Sequence, residues 1–145
     1  QGGDGSGRAL LIDESYNANP ASMRATLAQL GATPARRRIA VLGAMKELGE
    51  HGPAYHAALI EPLAASGADY ALLVGPEMKA LADELGKAAS GALGKAIAFA
   101  HCETAAEALN AFRAHGVEGG DAILVKGSNS VGLGTLVAAL AQQKD

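Results

Sequence analysis

Five short apolar runs, separated by segments with helical periodicity, constrain the fold of this chain more than any other feature. Each run is continuous rather than alternating, and most of them stop at a glycine or a polar residue. Strands that a parallel sheet buries on both faces have this pattern. The predicted strands occupy residues 9–13, 39–43, 70–75, 96–100 and 122–126.

The segments between these runs carry apolar residues at the spacing of one helix face. The residues that show this spacing are Met23, Leu27 and Leu30, then Met78, Ala82 and Leu85, and finally Leu133, Leu136, Val137 and Leu140. Signals for helix starts agree with them. These signals are Asn19 followed by Pro20, Pro76 after the third strand, and Thr104 with Glu107 at the spacing of a capping box.

Pro62 lies inside an otherwise helical pattern over residues 54–66 and is predicted to interrupt that helix. The order of elements is otherwise five consecutive βα units. Such an order predicts an α/β fold: a Rossmann-like, mainly parallel sheet of five or six strands with helices on both faces.

Length and composition fit one ordered domain, since the chain has 145 residues of which 49% are hydrophobic. Residues 1–8 include four glycines and are expected to form a flexible lead-in or a linker remnant. Residues 9–145 are expected to form the domain.

Several classes of function are excluded by composition. A net charge of -3 and only five aromatic residues (three Tyr, two Phe) argue against a nucleic-acid-binding surface. The single cysteine argues against a disulfide framework and a cysteine-based zinc site, and it fits a reducing compartment. No run of 18 apolar residues is present, so membrane insertion is not expected. We therefore expect a cytoplasmic protein without a metal site in this domain.

Ligands of open α/β sheets bind beyond the carboxyl ends of the strands, so the five loops that follow the strands are candidate sites. The first loop, residues 13–20, is dense in polar side chains. It predicts a hydrogen-bonding cluster for a polar ligand such as a ribose. The structural alternative is that Asn19 only caps the next helix and that Asp13 makes a turn.

The second loop contains three glycines between residues 43 and 52, which permit unusual backbone turns. Lys46 and Glu47 could meet a zwitterionic substrate or could simply be solvated charges. His56 could be a ligand or a base, although a lone histidine on a helix more often packs or lies at the surface. The third strand ends at Gly75 before Pro76, a tight helix entry that could expose backbone amides.

The last two strand ends differ in strength as signals. His101 beside Cys102 is a weak catalytic pattern because no third partner is near in sequence. Lys126, Gly127 and Ser128 precede a helix and have the composition of an anion-binding site. Alternatively, Ser130 caps that helix and the Lys126 side chain extends along the surface to solvent.

The chain contains neither a G-x-x-x-x-G-K-[ST] loop nor a G-x-G-x-x-G run after its first strand. It therefore lacks its own triphosphate cradle and the usual dinucleotide fingerprint. A Rossmann-type fold without either motif suggests a domain that shares its ligand with a partner domain.

Three blocks of the sequence closely resemble the C-terminal domain of the Mur ligases. They are residues 11–23, which contain Tyr-Asn-Ala-Asn-Pro, residues 41–49 followed by His56, and residues 125–130. The likeness extends over residues 8–142, and the first block is most similar to family members that add D-alanyl-D-alanine. Ala44 and Asn129 depart from the family pattern, which commonly has aspartate and arginine there.

The resemblance implies the lid of a three-domain, ATP-dependent ligase of bacterial cell-wall synthesis. In that scheme ATP phosphorylates the terminal carboxylate of UDP-N-acetylmuramoyl-tripeptide, and the amine of D-alanyl-D-alanine attacks the acyl phosphate. ATP and Mg²⁺ would be bound mainly by the central ATPase domain, which would be the partner of this lid. No catalytic residue would lie in this domain alone, so the isolated domain is expected to be inactive.

By the same resemblance, the nucleotide would face Asp13, Tyr16, Asn17 and Asn19, with Asp13 suited to ribose hydroxyls.

The incoming amino-acid substrate would be received by Lys46, Gly75, Lys126 and Ser128, with Lys126 on its carboxylate. Two alternatives stay open: the lid of another Mur ligase or of a folylpolyglutamate-type ligase, and a stand-alone nucleotide-binding module.

Overall fold

The structure, a computed structural model, describes residues 10–14, 18–88, 97–127, 132–134 and 137–138. Its centre is a five-stranded sheet of β1 (Leu10–Glu14), β2 (Arg37–Gly43), β3 (Tyr70–Val74), β4 (Ala98–Cys102) and β5 (Asp121–Lys126). The strands lie in the order β1-β5-β2-β3-β4, and all four pairs are parallel. The prediction of a Rossmann-like parallel sheet is confirmed.

The first crossover helix, α1 (Pro20–Ala32), begins where the sequence predicts. The Asn19 side chain accepts a hydrogen bond from the Ser22 backbone N–H at 2.9 Å. The Ser22 hydroxyl in turn accepts one from the Asn19 backbone N–H at 3.0 Å. These reciprocal bonds satisfy two of the amide donors that every helix start leaves unpaired.

The connection from β2 to β3 is a 3₁₀ turn at Gly49–His51 followed by two short helices, α2 (Gly52–Ala57) and α3 (Ile60–Ala65). Pro62 lies in the first turn of α3, where its missing N–H removes no intrahelical bond. The predicted interruption is confirmed, and the break falls between these two helices.

The last two described crossovers contain α4 (Lys79–Ala88), which follows a 3₁₀ turn at Pro76–Met78, and α5 (Ala105–His115). The Thr104 hydroxyl caps α5 by accepting from the Glu107 backbone N–H at 3.2 Å. The Glu107 carboxylate accepts from the backbone N–H of Glu103 rather than from that of Thr104, at 2.8 Å. The predicted capping box is therefore half formed.

Two apolar clusters cover the two faces of the sheet. On one face, Leu42 of β2 packs in a cluster with residues of α1, α3 and α4, among them Met23 and Leu81. On the other face, Val41 packs in a cluster with Phe112 of α5. Adjacent strand residues point to opposite faces, so continuous apolar strands are what a sheet covered on both sides requires. The prediction of helices on both faces is confirmed.

The chain after β5 is described in part. Residues 133–134 and 137–138 are helical, and Leu133 and Val137 pack in the same cluster as Phe112. The other two positions of the predicted last helix face, Leu136 and Leu140, lie outside the described residues.

The fourth strand differs from its predicted position by two residues at each end, because its register is set by pairing with β3. Leu73 pairs with His101, and Val74 pairs with Cys102. This strand lies at the edge of the sheet and only its last residue is fully buried, so apolar content marks its limits poorly. The third strand, β3, ends one residue earlier than predicted. Its predicted last residue, Gly75, has a φ of 110°, which is not an extended-strand conformation.

Among the residues that the structure describes, none of the helices has the length and apolar content needed to cross a bilayer.

Candidate functional site

The order of the strands creates a crevice at the carboxyl edge of the sheet. After β1 and β2 the chain enters helices on one face, whereas the residues after β5 pack on the other face. Since β5 lies between β1 and β2, its end is the point where successive connections diverge, and open α/β sheets bind their ligands at such points. A Cβ added to Gly127 would lie 3.0 Å from the Gly43 Cα, so the two strand ends meet there at glycines.

Lys126, the last residue of β5, is buried between the ends of β1 and β2 and is only 2% exposed. Its neighbours in register are Glu14 of β1 and Leu42 of β2. The alternative in which Lys126 extends to solvent is therefore wrong. The cost of desolvating an ammonium group means that buried lysines are rare, and they require an anionic or polar partner.

Asp13 lies beside β5, because it pairs in register with Val125, and its side chain is exposed. It is part of β1, so the alternative in which Asp13 makes a turn is wrong. Asn19 is exposed at the start of α1, and its amide oxygen accepts the capping hydrogen bond. Its structural role is thus confirmed, and contact with a nucleotide remains a prediction for both residues. Three more predicted site residues lie outside the described part of the chain: Tyr16, Asn17 and Ser128.

Lys46 forms an ion pair with a residue that sequence reasoning did not single out. The Lys46 Nζ donates to Glu77 Oε2 at 2.7 Å, and both side chains are a little over one-third exposed. Hydrogen bonding to Lys46 lowers the pKa of Glu77 below its ordinary value, so the carboxylate stays ionised. The sequence had offered Glu47 as the neighbouring acid, and a pairing across 31 residues leaves no local signal.

A cavity of about 230 Å³ opens beside this ion pair. It is lined by Met45, Lys46, Glu47, Leu48, Gly49, Gly52, Pro53, His56 and Glu77. Glu47 has a φ of 62°, a left-handed conformation that is uncommon for a residue with a side chain. The loop after β2 therefore turns sharply at Glu47, where it lines the cavity.

The buried side chain of His56 fixes that loop by hydrogen bonding to its backbone. It is only 1% exposed, and its Nε2 accepts a hydrogen bond from the Met45 backbone N–H at 3.0 Å. Its Nδ1 therefore carries the ring proton and donates to the Gly52 carbonyl at 2.7 Å. The packing interpretation of His56 is confirmed, although the residue that it fixes adjoins Lys46.

Gly75 brings β3 close to the same cavity. A Cβ at this position would lie 3.1 Å from the Ala44 Cβ and 3.3 Å from Glu77 Oε1. Together with its φ of 110°, this close approach leaves room only for glycine. The structure therefore brings together two of the predicted substrate residues, Lys46 and Gly75, around Glu77.

The His101 and Cys102 pair does not form a nucleophilic site. The His101 Nε2 donates to the Gly75 carbonyl at 2.8 Å, which fixes its ring against the end of β3. Cys102 is buried, and this burial raises the pKa of its thiol, with a smaller contribution from the charge of Glu107. A thiol that stays protonated is a poor nucleophile.

No three His, Cys, Asp or Glu side chains within the described ranges are arranged to hold a metal ion.

Comparison with known proteins gives consistent results. Residues 4–129 match the family described as Mur ligase, glutamate ligase domain. The UDP-N-acetylmuramoyl-tripeptide–D-alanyl-D-alanine ligase of Synechocystis sp. is 38% identical over 131 residues, which are 90% of this chain and 27% of that protein. The enzyme of the same name from Mycobacterium tuberculosis is 36% identical over 152 residues, covering 95% of this chain and 29% of that protein.

A solved structure agrees with the sequence relatives. A crystal structure of MurF from Acinetobacter baumannii superposes with a TM-score of 0.75 at 30% identity, covering 92% of this chain and 28% of that one. The chain thus spans a little over a quarter of the length of the relatives that it matches. The family match covers most of the chain, and the parallel sheet agrees with the fold that the three sequence blocks imply. The chain belongs to the Mur ligase family, a family of peptidoglycan-synthesis ligases, as its C-terminal glutamate ligase domain.

Proposed function

We propose that this chain is the C-terminal lid of an ATP-dependent ligase that adds D-alanyl-D-alanine to UDP-N-acetylmuramoyl-tripeptide. The observation that carries the proposal is that two relatives bearing this enzyme's name align with at least 90% of the chain at 36–38% identity. We propose that residues 9–145 form the lid and that the enzyme acts in the cytoplasm. The free thiol Cys102 fits such a reducing compartment.

The proposed reaction requires both positioning and the exclusion of water. ATP first phosphorylates the terminal carboxylate of the tripeptide, and the amine of D-alanyl-D-alanine then displaces the phosphate from the acyl carbon. Water competes with the amine for the acyl phosphate. A domain that closes over the nucleotide and carries the amine substrate at its own surface shortens the attack distance and excludes that water.

We propose that Asp13 contacts the nucleotide at this crevice. Its exposed carboxylate stands at the end of β1, and a carboxylate accepts hydrogen bonds from ribose hydroxyls. Asn19 stands at the start of α1 on the same side, and we propose that Tyr16 and Asn17 complete this group. Since the sequence has no P-loop and the family resemblance assigns one to the central domain, we propose that Mg²⁺ and the phosphates of ATP are bound mainly by that domain.

We propose that Lys126 receives the carboxylate end of the incoming dipeptide. It is buried at the end of β5, between β1 and β2, where solvent screens electrostatic attraction for an anion only weakly. Gly127 beside it permits a close backbone approach, and we propose that Ser128 adds a hydroxyl donor. Lys46 and Gly75 line the same edge from β2 and β3.

The decisive experiment is an amine panel with the full-length protein. ADP release is measured with UDP-N-acetylmuramoyl-tripeptide and one amine at a time: D-alanyl-D-alanine, L-alanine, D-glutamate, L-lysine, meso-diaminopimelate or L-glutamate. The proposal expects turnover that depends on the tripeptide and on D-alanyl-D-alanine. Turnover only with a free amino acid would instead indicate the lid of another Mur or folylpolyglutamate-type ligase, and nucleotide binding without any ligation would indicate a stand-alone binding module.

Asp13→Ala tests the nucleotide side in the same assay. The variant should lower kcat/KM for ATP by about tenfold, the loss of one charge-assisted hydrogen bond, while the domain remains folded. Asp83→Asn, which alters an exposed carboxylate on α4, is the matched control and should match the wild type. Wild-type kinetics for Asp13→Ala would remove this residue from the site.

A further inference from the structure

An ammonium group already lies on the Glu77 carboxylate. It is the Lys46 Nζ, 2.7 Å from Oε2, and it comes from the loop between β2 and α2 rather than from a helix or strand. Both side chains of the pair line the cavity of about 230 Å³ described above, which leaves space for a ligand beside the carboxylate. The position therefore accepts a primary ammonium and has room beside it.

The pair can be exchanged at little energetic cost. Both side chains are more than one-third exposed, and ion pairs of this kind contribute little net stability because solvent screens them. When the ammonium of a ligand replaces the Lys46 ammonium, Glu77 loses one ion pair and gains a similar one. Breaking the Lys46–Glu77 pair therefore lowers the affinity for the ligand only slightly.

The length of the proposed substrate decides which of its charges this pair can bind. The termini of an extended dipeptide are about 7 Å apart. While the Lys46 Nζ lies 2.7 Å from Glu77 Oε2, the pair cannot hold both ends at once. The carboxylate end is assigned to Lys126 under the proposed function, and Lys126 stands at the end of β5, two strands from β3 across β2.

We propose that Glu77 binds the ammonium end of the incoming amine substrate, and that Lys46 occupies this carboxylate until the substrate displaces it. The inference rests on the proposed function and extends it, because it assigns the amine end of the dipeptide to a residue outside the three sequence blocks. It also identifies a carboxylate for this role at the position next to Ala44, which has none.

The electrostatics of the pair favour anchoring over proton transfer. A carboxylate whose pKa is lowered stays ionised and is a weak base. Glu77 therefore orients the nitrogen and raises its local concentration. The KM for the amine, rather than the rate of the chemical step, is the quantity that should depend on it.

The test compares Glu77→Gln with Glu84→Gln in the full-length enzyme. Glu84 is a matched control because it also lies in the segment after β3, accepts from a lysine (Lys87, 3.2 Å) and is about equally exposed. Glu77→Gln is expected to raise the KM for D-alanyl-D-alanine by about tenfold and to change the KM for ATP and for the UDP-tripeptide by less than about twofold. Glu84→Gln is expected to match the wild type.

An analogue without the ammonium group separates direct contact from a structural effect. N-acetyl-D-alanyl-D-alanine is used as a competitive inhibitor against the dipeptide. Direct contact predicts the same inhibition constant for the wild type and Glu77→Gln. If Glu77 only tethers the loop, the variant should weaken the analogue and the dipeptide equally, and that result would overturn the inference, as would an unchanged KM for the dipeptide.

Failure of the proposed function would be visible separately. If the wild-type enzyme uses a different amine in the panel, the comparison is repeated with that amine, and a KM effect confined to Glu77→Gln would still support the ammonium site. Thermal unfolding checks that the variants are folded. Glu77→Asp, which keeps the charge on a shorter side chain, should give a KM between those of the wild type and Glu77→Gln, and a KM equal to that of Glu77→Gln would count against the charge as the cause.

Discussion

Lys46 and Lys126 show how differently the fold can use the same side chain. Lys126 is buried at the end of β5, between β1 and β2. Lys46 is more than one-third exposed in a loop and held only by one carboxylate. In the proposed site the buried ammonium would attract the substrate carboxylate through a weakly screened field, whereas the exposed one would be displaced at little cost. Burial is thus the difference between the two roles that we propose for these lysines.

The Glu77 carboxylate should make stability pH-dependent in one direction. Its pKa is lowered in the folded protein below the ordinary 4.5, so as the pH falls the unfolded chain takes up its proton first. The stabilising contribution is complete above about pH 4.5 and is lost as the pH falls through the folded value. Urea unfolding of the wild type and Glu77→Gln at several pH values should show a difference in unfolding free energy that shrinks on acidification. A difference that grows below pH 4.5 would contradict the assignment.

His56 should contribute to stability through its two hydrogen bonds. His56→Leu leaves the Met45 N–H and the Gly52 carbonyl without their buried partner. An unsatisfied buried group costs about 1–3 kcal/mol, so we expect a loss of about 2–4 kcal/mol in unfolding free energy. His56→Gln, whose amide oxygen can still accept from Met45, should lose less. Equal losses for the two variants would show that ring packing, and not hydrogen bonding, is what matters.

β5 and β2 approach each other closely where they end. Gly127 lies against the backbone of Gly43, and the Leu133 side chain also packs against it. No apolar pattern or turn motif encodes such a contact, because it depends on which strands become neighbours. Glycine at position 127 is a requirement of packing between elements.

Gly127→Ala should therefore destabilise the protein. Its Cβ would lie 2.7 Å from the Leu133 Cδ1 and 3.0 Å from the Gly43 Cα, and overpacking of this kind costs about 1–3 kcal/mol. Gly86→Ala is the matched control, since nothing lies within 4 Å of the added methyl and alanine favours the interior of α4 by about 0.5–1 kcal/mol. Chemical unfolding should give opposite signs for the two variants, and the same sign would refute the packing argument.

The start of α1 combines a cap with a proposed nucleotide contact, and two substitutions at Asn19 separate them. Asn19→Ala should lose about 1 kcal/mol of stability together with the contact. Asn19→Ser keeps a good N-cap and should retain the stability of the wild type, while the KM for ATP in the full-length enzyme rises. If Asn19→Ser has both the stability and the KM for ATP of the wild type, Asn19 serves only as a helix cap.

The sequence predicts the elements better than their mutual contacts. The strands buried on both faces, β2, β3 and β5, are continuous apolar runs, and the cap at Asn19 is a local signal, so both were predictable. The limits of β4 could not be predicted, because at the sheet edge they depend on its pairing with β3. The Lys46–Glu77 pair could not be predicted either, since its partners are 31 residues apart and meet only after β2 and β3 align.

The described residues form a parallel sheet with a crevice at its carboxyl edge, and the sequence contains no phosphate-binding loop of the P-loop type. Its relatives are about three to four times as long, and the proposed reaction places the chemistry between this domain and the rest of the enzyme. In the proposed reaction, the polar residues at the carboxyl ends of the strands would line one side of the active site, and the rest of the enzyme would line the other side.

The 145-residue chain alone should therefore hydrolyse no ATP and should bind nucleotide weakly. Full-length enzyme should show tripeptide-dependent ADP release under the same conditions. The measurement is a coupled ADP assay with purified chain, with Lys126→Met as a control for contaminating ATPases, because contaminants would not respond to that substitution. If the isolated chain hydrolyses ATP and the Lys126→Met variant does not, the proposal that the active site needs the rest of the enzyme would be contradicted.

The position of β5 also sets the order of events during synthesis. Among the described strands β1 pairs only with β5, yet about a hundred residues separate them. At bacterial elongation rates of about 5–20 residues per second, β1 waits roughly 5–20 s for its partner, while β2, β3 and β4 can already pair. Insertion of β5 closes the sheet and brings Lys126 between β1 and β2 in the same step. A nascent chain thus completes the described sheet only when β5 arrives, and a truncation before residue 121 would remove both the strand that joins β1 to β2 and the proposed site at Lys126.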